Sequence, residues 1–410
     1  MNVASFISQR IAFNKQKTFS RFIIRLATAA TALSVAAMII TICFVTGFQK
    51  TISQKVFSFW GHLRVMEYMP SKALVAEESP ISANDTVLQI LKSTPQIETI
   101  QPFATKSAIL DKKKDIEGIL IKGVNQNYNF KNLDPYLKSG HWPNFSDTNY
   151  SREIVISQPI ADELKIKLND QVVLYFISSE QQNAIARKMR VVGFYKTGIE
   201  EYDKLFAIGD IRLIQKINGW SDKEIGGYEV FLRDYHQMDT VSDFLYDELP
   251  DAWVSRTIKE IYPSIFDWLN IQDVNRNVIF IVMSIVAIIN LITCLLILVL
   301  ERTAMVGILQ SLGAQNSLLR RIFLNYASVI AIKGIIIGFI VGVGICLLEQ
   351  FTGFIKLDEN SYYVSSAPVA MMWGQILLVC AATFIVCYIS LLIPVFIIKN
   401  IKPVKAIAFN

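Results

Sequence analysis

The chain has 410 residues, of which 52% are hydrophobic and 18% charged, and its net charge is +5. A mean hydropathy of +0.37 excludes an ordinary soluble protein, while the charge content excludes a chain lying wholly in lipid. Most of the basic residues near the apolar runs lie on one side of them, so the positive balance reads as membrane topology and not as nucleic-acid binding.

Residues 1–25 carry Arg10, Lys15, Lys17, Arg21 and Arg25. Val3, Phe6, Ile7 and Ile11 suit the apolar side of a helix lying on a membrane surface, and an irregular basic tail fits the same composition equally well. Leu26–Phe48 then runs without a charge, and its roughly 35 Å of helix is enough to cross a bilayer. Its apolar core is longer than a signal peptide's, which predicts a retained anchor over 26–48. Its many small residues, among them Ala29, Ala32 and Ala36, suit close packing against another helix.

Residues 49–277 form one long polar insert, large enough for one or two globular units. Alternation predicts strands at 63–68, 97–110, 116–124, 154–157, 172–177 and 188–195, with the run Asp111–Asp115 as a hairpin tip. Helices are predicted at 85–93, 158–164 and 238–248, so the insert reads as α+β. All five cysteines (Cys43, Cys294, Cys346, Cys380, Cys387) lie in apolar runs, so the insert has no disulfide framework.

Further spans are predicted at 278–300, 322–348 and 369–398. The loop 349–368 carries Glu349, Asp358 and Glu359 against Lys356 and reads as external. The tail 399–410, with Lys399, Lys402 and Lys405, reads as internal. The expected fold is therefore an α-helical membrane protein of four transmembrane helices, both termini inside, with a large α+β domain outside.

Between the second and third spans lies the polar break 301–321. Met305, Ile308, Leu309 and Leu312 fall at i, i+3, i+4 and i+7, one face of a short helix, and Gly313 stands where a left-handed cap would be. Gly307 and Gly313 weaken an autonomous helix, and a lysine-rich polar face of the surface-lying kind is missing, so a groove on a protein partner is expected to hold it.

The sequence contains no G-x-x-x-x-G-K-S/T, H-E-x-x-H or G-x-S-x-G motif, which predicts a non-enzyme with no nucleotide site of its own. His62, His141 and His236 are far apart in sequence, and no metal is expected on them. The acidic turn Glu200–Asp203 suits a cation or, more simply, a solvated loop. Lys333 inside the third span either faces a polar cavity or partner, or extends its stem to the inner interface. Gly334, Gly338 and Gly342 repeat every four residues, a helix face shaped for close packing.

These residues carry a resemblance. E-R-T-x-x-x-G-I-L-Q-S-L-G-A at 301–314 resembles the cytoplasmic coupling segment of the FtsX/MacB superfamily of ABC transporter permeases, and most nearly that of the lipoprotein-releasing permeases of the LolC and LolE type. F-I-S-Q-R near the start, V-T-G-F-Q-K after the first span, F-S-F-W-G-H-L at 57–63, Y-P-S-I-F-D-W-L at 262–269 and I-K-P-V-K-A-I at 401–407 are similar to segments of that family in the same order. The resemblance implies a MacB-type periplasmic domain with two subdomains. It implies a coupling helix, with Met305, Gly307, Ile308, Leu309, Leu312 and Gly313, seated in a separate LolD-like ATPase that binds ATP and Mg, so that this chain needs no cofactor. It implies a second permease copy or a sister permease, a lipoprotein cargo lifted from the membrane, and a LolA-like periplasmic carrier. Val45, Phe48, Val278 and Phe280 would wall an apolar cargo cavity. The connector Ser178–Arg187, at the place of the family's carrier-binding hairpin, is short. A MacB-like efflux or mechanotransmission permease, and an FtsX-like activator of a cell-wall hydrolase, are the alternatives within the same superfamily.

Overall fold

The computed structural model describes residues 19–69, 79–112, 115–146, 149–176 and 184–391. The predicted amphipathic stretch before residue 19, the end of the fourth span and the basic tail lie outside the described residues. Among those described are the helices α1 (Phe19–Trp60), α2 (Asp85–Ser93), α3 (Gln158–Glu163), α4 (Glu200–Asp203), α5 (Ile211–Asn218) and α6 (Met238–Glu248). They continue with α7 (Ile258–Ile261), α8 (Pro263–Glu301), α9 (Thr303–Ser311), α10 (Asn316–Thr352), α11 (Glu359–Tyr362) and α12 (Trp373–Ser390). The strands are β1 (Leu63–Glu67), β2 (Ile81–Ser82), β3 (Ile97–Lys112), β4 (Asp115–Val124), β5 (Leu137–Gly140) and β6 (Glu153–Ser157). The remaining six are β7 (Gln171–Phe176), β8 (Ile185–Tyr195), β9 (Phe206–Asp210), β10 (Glu224–Ile225), β11 (Gly227–Leu232) and β12 (Trp253–Thr257). They fall into two compact units, one of residues 51–267 with 357–365, the other of 1–50, 268–356 and 366–410.

The first unit is the α+β domain. Its main sheet runs β12-β1-β11-β3-β4-β9-β6-β8-β5, and β7 pairs with both β8 and β3. The path β3-β4-β9-β6-β8-β7 therefore returns to β3, and closure leaves those strands without free edges. β3 is long enough to serve both parts: its first half pairs with β11 and its last residues, Ile109–Asp111, with β7. The predicted tip at Asp111–Asp115 is the β3–β4 hairpin, in which Lys112 faces Asp115. Local chemistry sets the helix ends. Asn84 caps α2 by accepting from Thr86 N, Ser157 caps α3 by accepting from Ile160 N, and Gly219 ends α5 at φ 69°.

The second unit holds four helices, or parts of helices, long and apolar enough to cross a membrane: α1, α8, α10 and α12. One cluster of their buried side chains joins Ala27, Leu291, Leu295, Leu298, Phe323 and Tyr326, and a second joins Val35, Ile39, Cys43, Cys346, Ile376 and Val379. The fourth span differs from its sequence reading: its helix starts at Trp373 and not at Val369. The N–H of Ala370 instead donates to the Cys43 carbonyl at 3.1 Å, and the Pro368 carbonyl lies where a Cβ on Gly47 would stand. A backbone tied to α1 in that way does not begin a helix of its own.

Candidate functional site

The short helix α9 ends as the sequence predicts. Gly313 takes φ 88°, and Ala314 N donates back to the Leu309 carbonyl at 2.9 Å, which satisfies a carbonyl that the helix leaves open. The apolar stripe, however, is divided. Met305 and Leu309 pack against the first helix cluster, of which the fully buried Val306 and Leu319 are members. Ile308 and Leu312 are left outward, 56% and 78% exposed, and Leu312 stands one residue past the helix end. Gly307 is buried, which suits the close approach of α9 to the spans. The face left exposed is thus Ile308 and Leu312, and Met305 and Leu309 hold the helix to its own chain. Sequence spacing alone did not separate the two pairs, because both lie within the arc of a single amphipathic face.

The other singled-out residues scatter. Val45 is buried and Phe280 packs against the second helix cluster, whereas Val278 is exposed and Phe48 sits edge-on to Trp268 at 6.2 Å. They do not form one open wall in this structure. Gly334, Gly338 and Gly342 face α1: an added Cβ would meet Thr31, Ala32 or Val35, and Ala36 or Ile39 within about 3 Å. Lys333 lies on the exposed side of α10. The acidic turn is a short helix, exposed at Glu200 and Glu201 but not at Tyr202 or Asp203. The Asp203 carboxylate is buried and accepts from Thr197 N (3.0 Å), Thr197 Oγ1 (2.9 Å) and Gly198 N (2.8 Å), shaping the turn after β8. The β7–β8 connector is shorter than its sequence reading, since β8 already starts at Ile185; residues 177–183 lie outside the described residues.

The domain also contains a site that sequence reading missed. The last turn of α1 puts Phe59 and Trp60 into an aromatic cluster with Phe103, Tyr195, Tyr202 and Phe206. Lys122 on β4, fully buried, donates to the Phe59 carbonyl at the end of that helix and to Tyr128 Oη at 3.1 Å. Its Nζ lies 2.7 Å from Glu229 on β11, also fully buried, and Tyr128 donates to the same carboxylate at 3.2 Å. Arg64 lies with its guanidinium over Trp60 (4.4 Å) and Phe103 (4.6 Å). Burial pushes Lys122 down and Glu229 up, and the attraction between them works against both shifts. A cation on the terminal carbonyl also complements the negative end of the helix dipole. The arrangement locks the end of the first long helix into the centre of the sheet. Its sequence signal was a single lysine inside I-L-I-K-G-V and a single glutamate inside Y-E-V-F-L, each at a buried register of a strand.

Comparison with known proteins gives this geometry a context. Residues 26–243 match the family model described as a MacB-like periplasmic core domain, and residues 277–403 match an FtsX-like permease C-terminal region. The chain is 23% identical over 433 residues to the lipoprotein-releasing system transmembrane protein LolE of Haemophilus influenzae, covering all of both chains. It is 22% identical to the lipoprotein-releasing system transmembrane protein LolC of Xylella fastidiosa, covering 97% of this chain and 96% of the other. Among solved structures, the periplasmic region of MacB from Actinobacillus actinomycetemcomitans is a loose likeness, 14% identical over 50% of this chain and 91% of that one, with a TM-score of 0.34.

Proposed function

The chain belongs to the family of ABC transporter permeases built from a MacB-like periplasmic core domain and an FtsX-like C-terminal region, and on that premise we propose that it is a permease subunit releasing lipoproteins from the inner membrane. The observation that carries the reading is the end-to-end likeness to LolE, which spans both the helices and the inserted domain. In this reading both termini lie in the cytoplasm, as the basic flanks require, and the inserted domain lies in the periplasm. A separate ATPase binds ATP and Mg and grips α9 through Ile308 and Leu312. A second copy or a sister permease completes the membrane unit. Movement driven by the ATPase lifts the acylated lipoprotein from the outer leaflet, and a soluble periplasmic carrier receives it. Because the sequence between β7 and β8 is short, direct recruitment of that carrier is not assigned to this subunit.

The physical chemistry supports this division of labour. A diacylglycerol-anchored cargo leaves lipid only if its chains stay covered, at about 0.8 kcal/mol per exposed CH₂. That demands work from a nucleotide-driven partner and an apolar path along the spans. The test is reconstitution: the chain, its ATPase and a labelled triacylated lipoprotein are placed in proteoliposomes with a soluble carrier outside. Release on adding ATP supports the reading. Hydrolysis without transfer of the label, in a preparation whose ATPase stays bound, sinks it.

A further inference from the structure

The segment between α10 and α12 contains a strap, residues 357–365, that groups with the α+β domain although the chain on both sides of it belongs to the helical unit. It starts five residues after α10 ends and stops eight residues before α12 begins. Leu357 N donates to the Ser365 carbonyl at 3.2 Å, which closes the strap on itself. Asp358 caps its single turn by accepting from Ser361 N (3.1 Å) and Ser361 Oγ (2.7 Å). Tyr363, at φ 60°, turns the chain back, and Val364 is buried.

Three elements of the domain hold this strap. Lys196, at the end of β8, pairs with Glu359 at 2.6 Å. Lys55, on the last turns of α1, donates to the Tyr363 carbonyl at 2.7 Å. Tyr363 Oη donates to Glu201 on α4 at 3.3 Å. The seat between them is built for the purpose. Gly198 has φ +77°, and a Cβ there would come within 2.7 Å of both Glu359 Oε1 and Lys55 Nζ and 3.1 Å of the Tyr363 carbonyl. The buried Asp203 carboxylate holds that turn open by binding the N–H groups of Thr197 and Gly198. Burial pulls the Lys55 ammonium down and the Glu359 carboxylate pulls it back up.

We propose that residues 357–365 are a fixed anchor, through which the third and fourth spans are tied to the domain at the turn Lys196–Ile199 and at Lys55. Two long helices that follow the coupling helix in the chain thereby gain a second mechanical route to the domain, besides the direct continuations of α1 and α8. Three anchors from three separate elements fix the strap in position, where one partly hydrated ion pair would leave it free to detach. The proposal rests on the permease reading above and assigns the strap the task of passing helix motion to the domain.

The experiment uses the full complex with its ATPase in proteoliposomes. Glu359→Lys and Gly198→Val each break the seat from one side. The expected result is that release per ATP hydrolysed falls about fivefold or more while hydrolysis continues. The charge exchange Lys196→Glu with Glu359→Lys restores release, which a loss of folding would not allow. Lys196→Cys with Glu359→Cys lacks the ion pair and is expected to lose release like the breaking variants; joining the two with a short bismaleimide is expected to restore it, since an anchor stays shut throughout the cycle. Full release by both breaking variants overturns the proposal, as does a joined pair that stays without release, which would mark a latch that must open. Spin labels at Ser361→Cys and Glu163→Cys separate this from the lipoprotein reading. A distance unchanged between nucleotide-free and ATP-bound complexes upholds the anchor even if no lipoprotein is released, and a distance that changes overturns it.

Discussion

The helix α1 is held in two different ways along its length. In the helical unit it is held by absence of side chain: Gly334, Gly338 and Gly342 on α10 let the two backbones approach until an added Cβ would strike Thr31, Ala32 or Ala36. At its other end, in the α+β domain, it is held by a buried cation, Lys122, seated on the Phe59 carbonyl and paired with Glu229. The difference follows from the surroundings. Lipid tails are as apolar as leucine, so two helices in a bilayer gain little by covering apolar surface and associate through close packing. In a water-exposed domain the sheet core is already apolar, and a buried ion pair adds little net stability but fixes which partner sits where. The first contact tolerates sliding along a ladder of equal rungs; the second admits one register.

That contrast is most sharply tested at Lys122. Lys122→Met removes the cation 2.7 Å from the buried Glu229 and leaves that carboxylate only its hydrogen bond from Tyr128, and the domain is expected to lose about 3–5 kcal/mol. The double change Lys122→Met with Glu229→Met is expected to recover most of that loss, because neither member of the pair is left buried without the other. Chemical denaturation of the protein in detergent, followed by tryptophan fluorescence, reads both. A double variant as weak as the single one would show that the pair contributes more than register.

Helix α9, the coupling helix of the proposed reading, offers the next effect in size. Ile308→Asp and Leu312→Asp alter only the outward pair, so each is expected to cost about tenfold or more in affinity for the ATPase with no change in melting temperature. Leu309→Asp puts a charge against the packed cluster of the spans, so it is expected to lower the melting temperature as well. Co-purification and thermal melts of the three variants, measured side by side, check this. Equal melting temperatures for all three would return Leu309 to the outward face.

The rungs of the ladder come third. Gly338→Leu drives a side chain into the Ala32 carbonyl, which lies 2.5 Å from the position of the added Cβ, and overpacking of that kind costs about 1–3 kcal/mol. Gly344 lies on the same helix but nothing stands within 4 Å of an added Cβ, so Gly344→Leu is the matched control and is expected to change stability by no more than about 0.5 kcal/mol. Equal behaviour of the two would mean that α1 and α10 separate at no cost.

Much of this is legible in the sequence. An uncharged run as long as Leu26–Phe48 reads as a span, and the alternation in Ile97–Leu110 reads as a strand. What the sequence could not show is pairing across long separations. The strap's acidic Glu359 was legible as part of an external loop, but its partner Lys196 lies 163 residues away and no local pattern joins them. The same holds for Lys122 and Glu229, which announce themselves as odd charges in apolar strands without naming each other. The split of the coupling stripe was hidden for a different reason. Periodicity reports which residues share a face, and whether that face meets a partner or its own chain is decided by packing.

The smallest effect belongs to His62, where the domain meets pH. Its ring packs against Phe57 and Phe231, and its Nδ1 accepts from Leu232 N at 2.8 Å, so the neutral form is the one the fold uses. Burial pushes its pKa from 6.5 down to about 4, against a smaller upward pull from Asp234. A proton therefore binds the unfolded chain more readily than the folded one between those values. The stabilisation is fully present above pH 6.5 and is lost as pH falls toward 4. Because the ring is only partly buried, the loss is expected to be about 1 kcal/mol, below the full linkage value. His62→Asn keeps an acceptor for Leu232 N and cannot take up that proton. The difference in stability between wild type and His62→Asn should shrink by that amount from pH 7 to pH 4, whatever the carboxylates contribute to both. A difference that stays constant across that range would place the imidazole in water, and would remove His62 from the contacts that hold β11 to the end of α1.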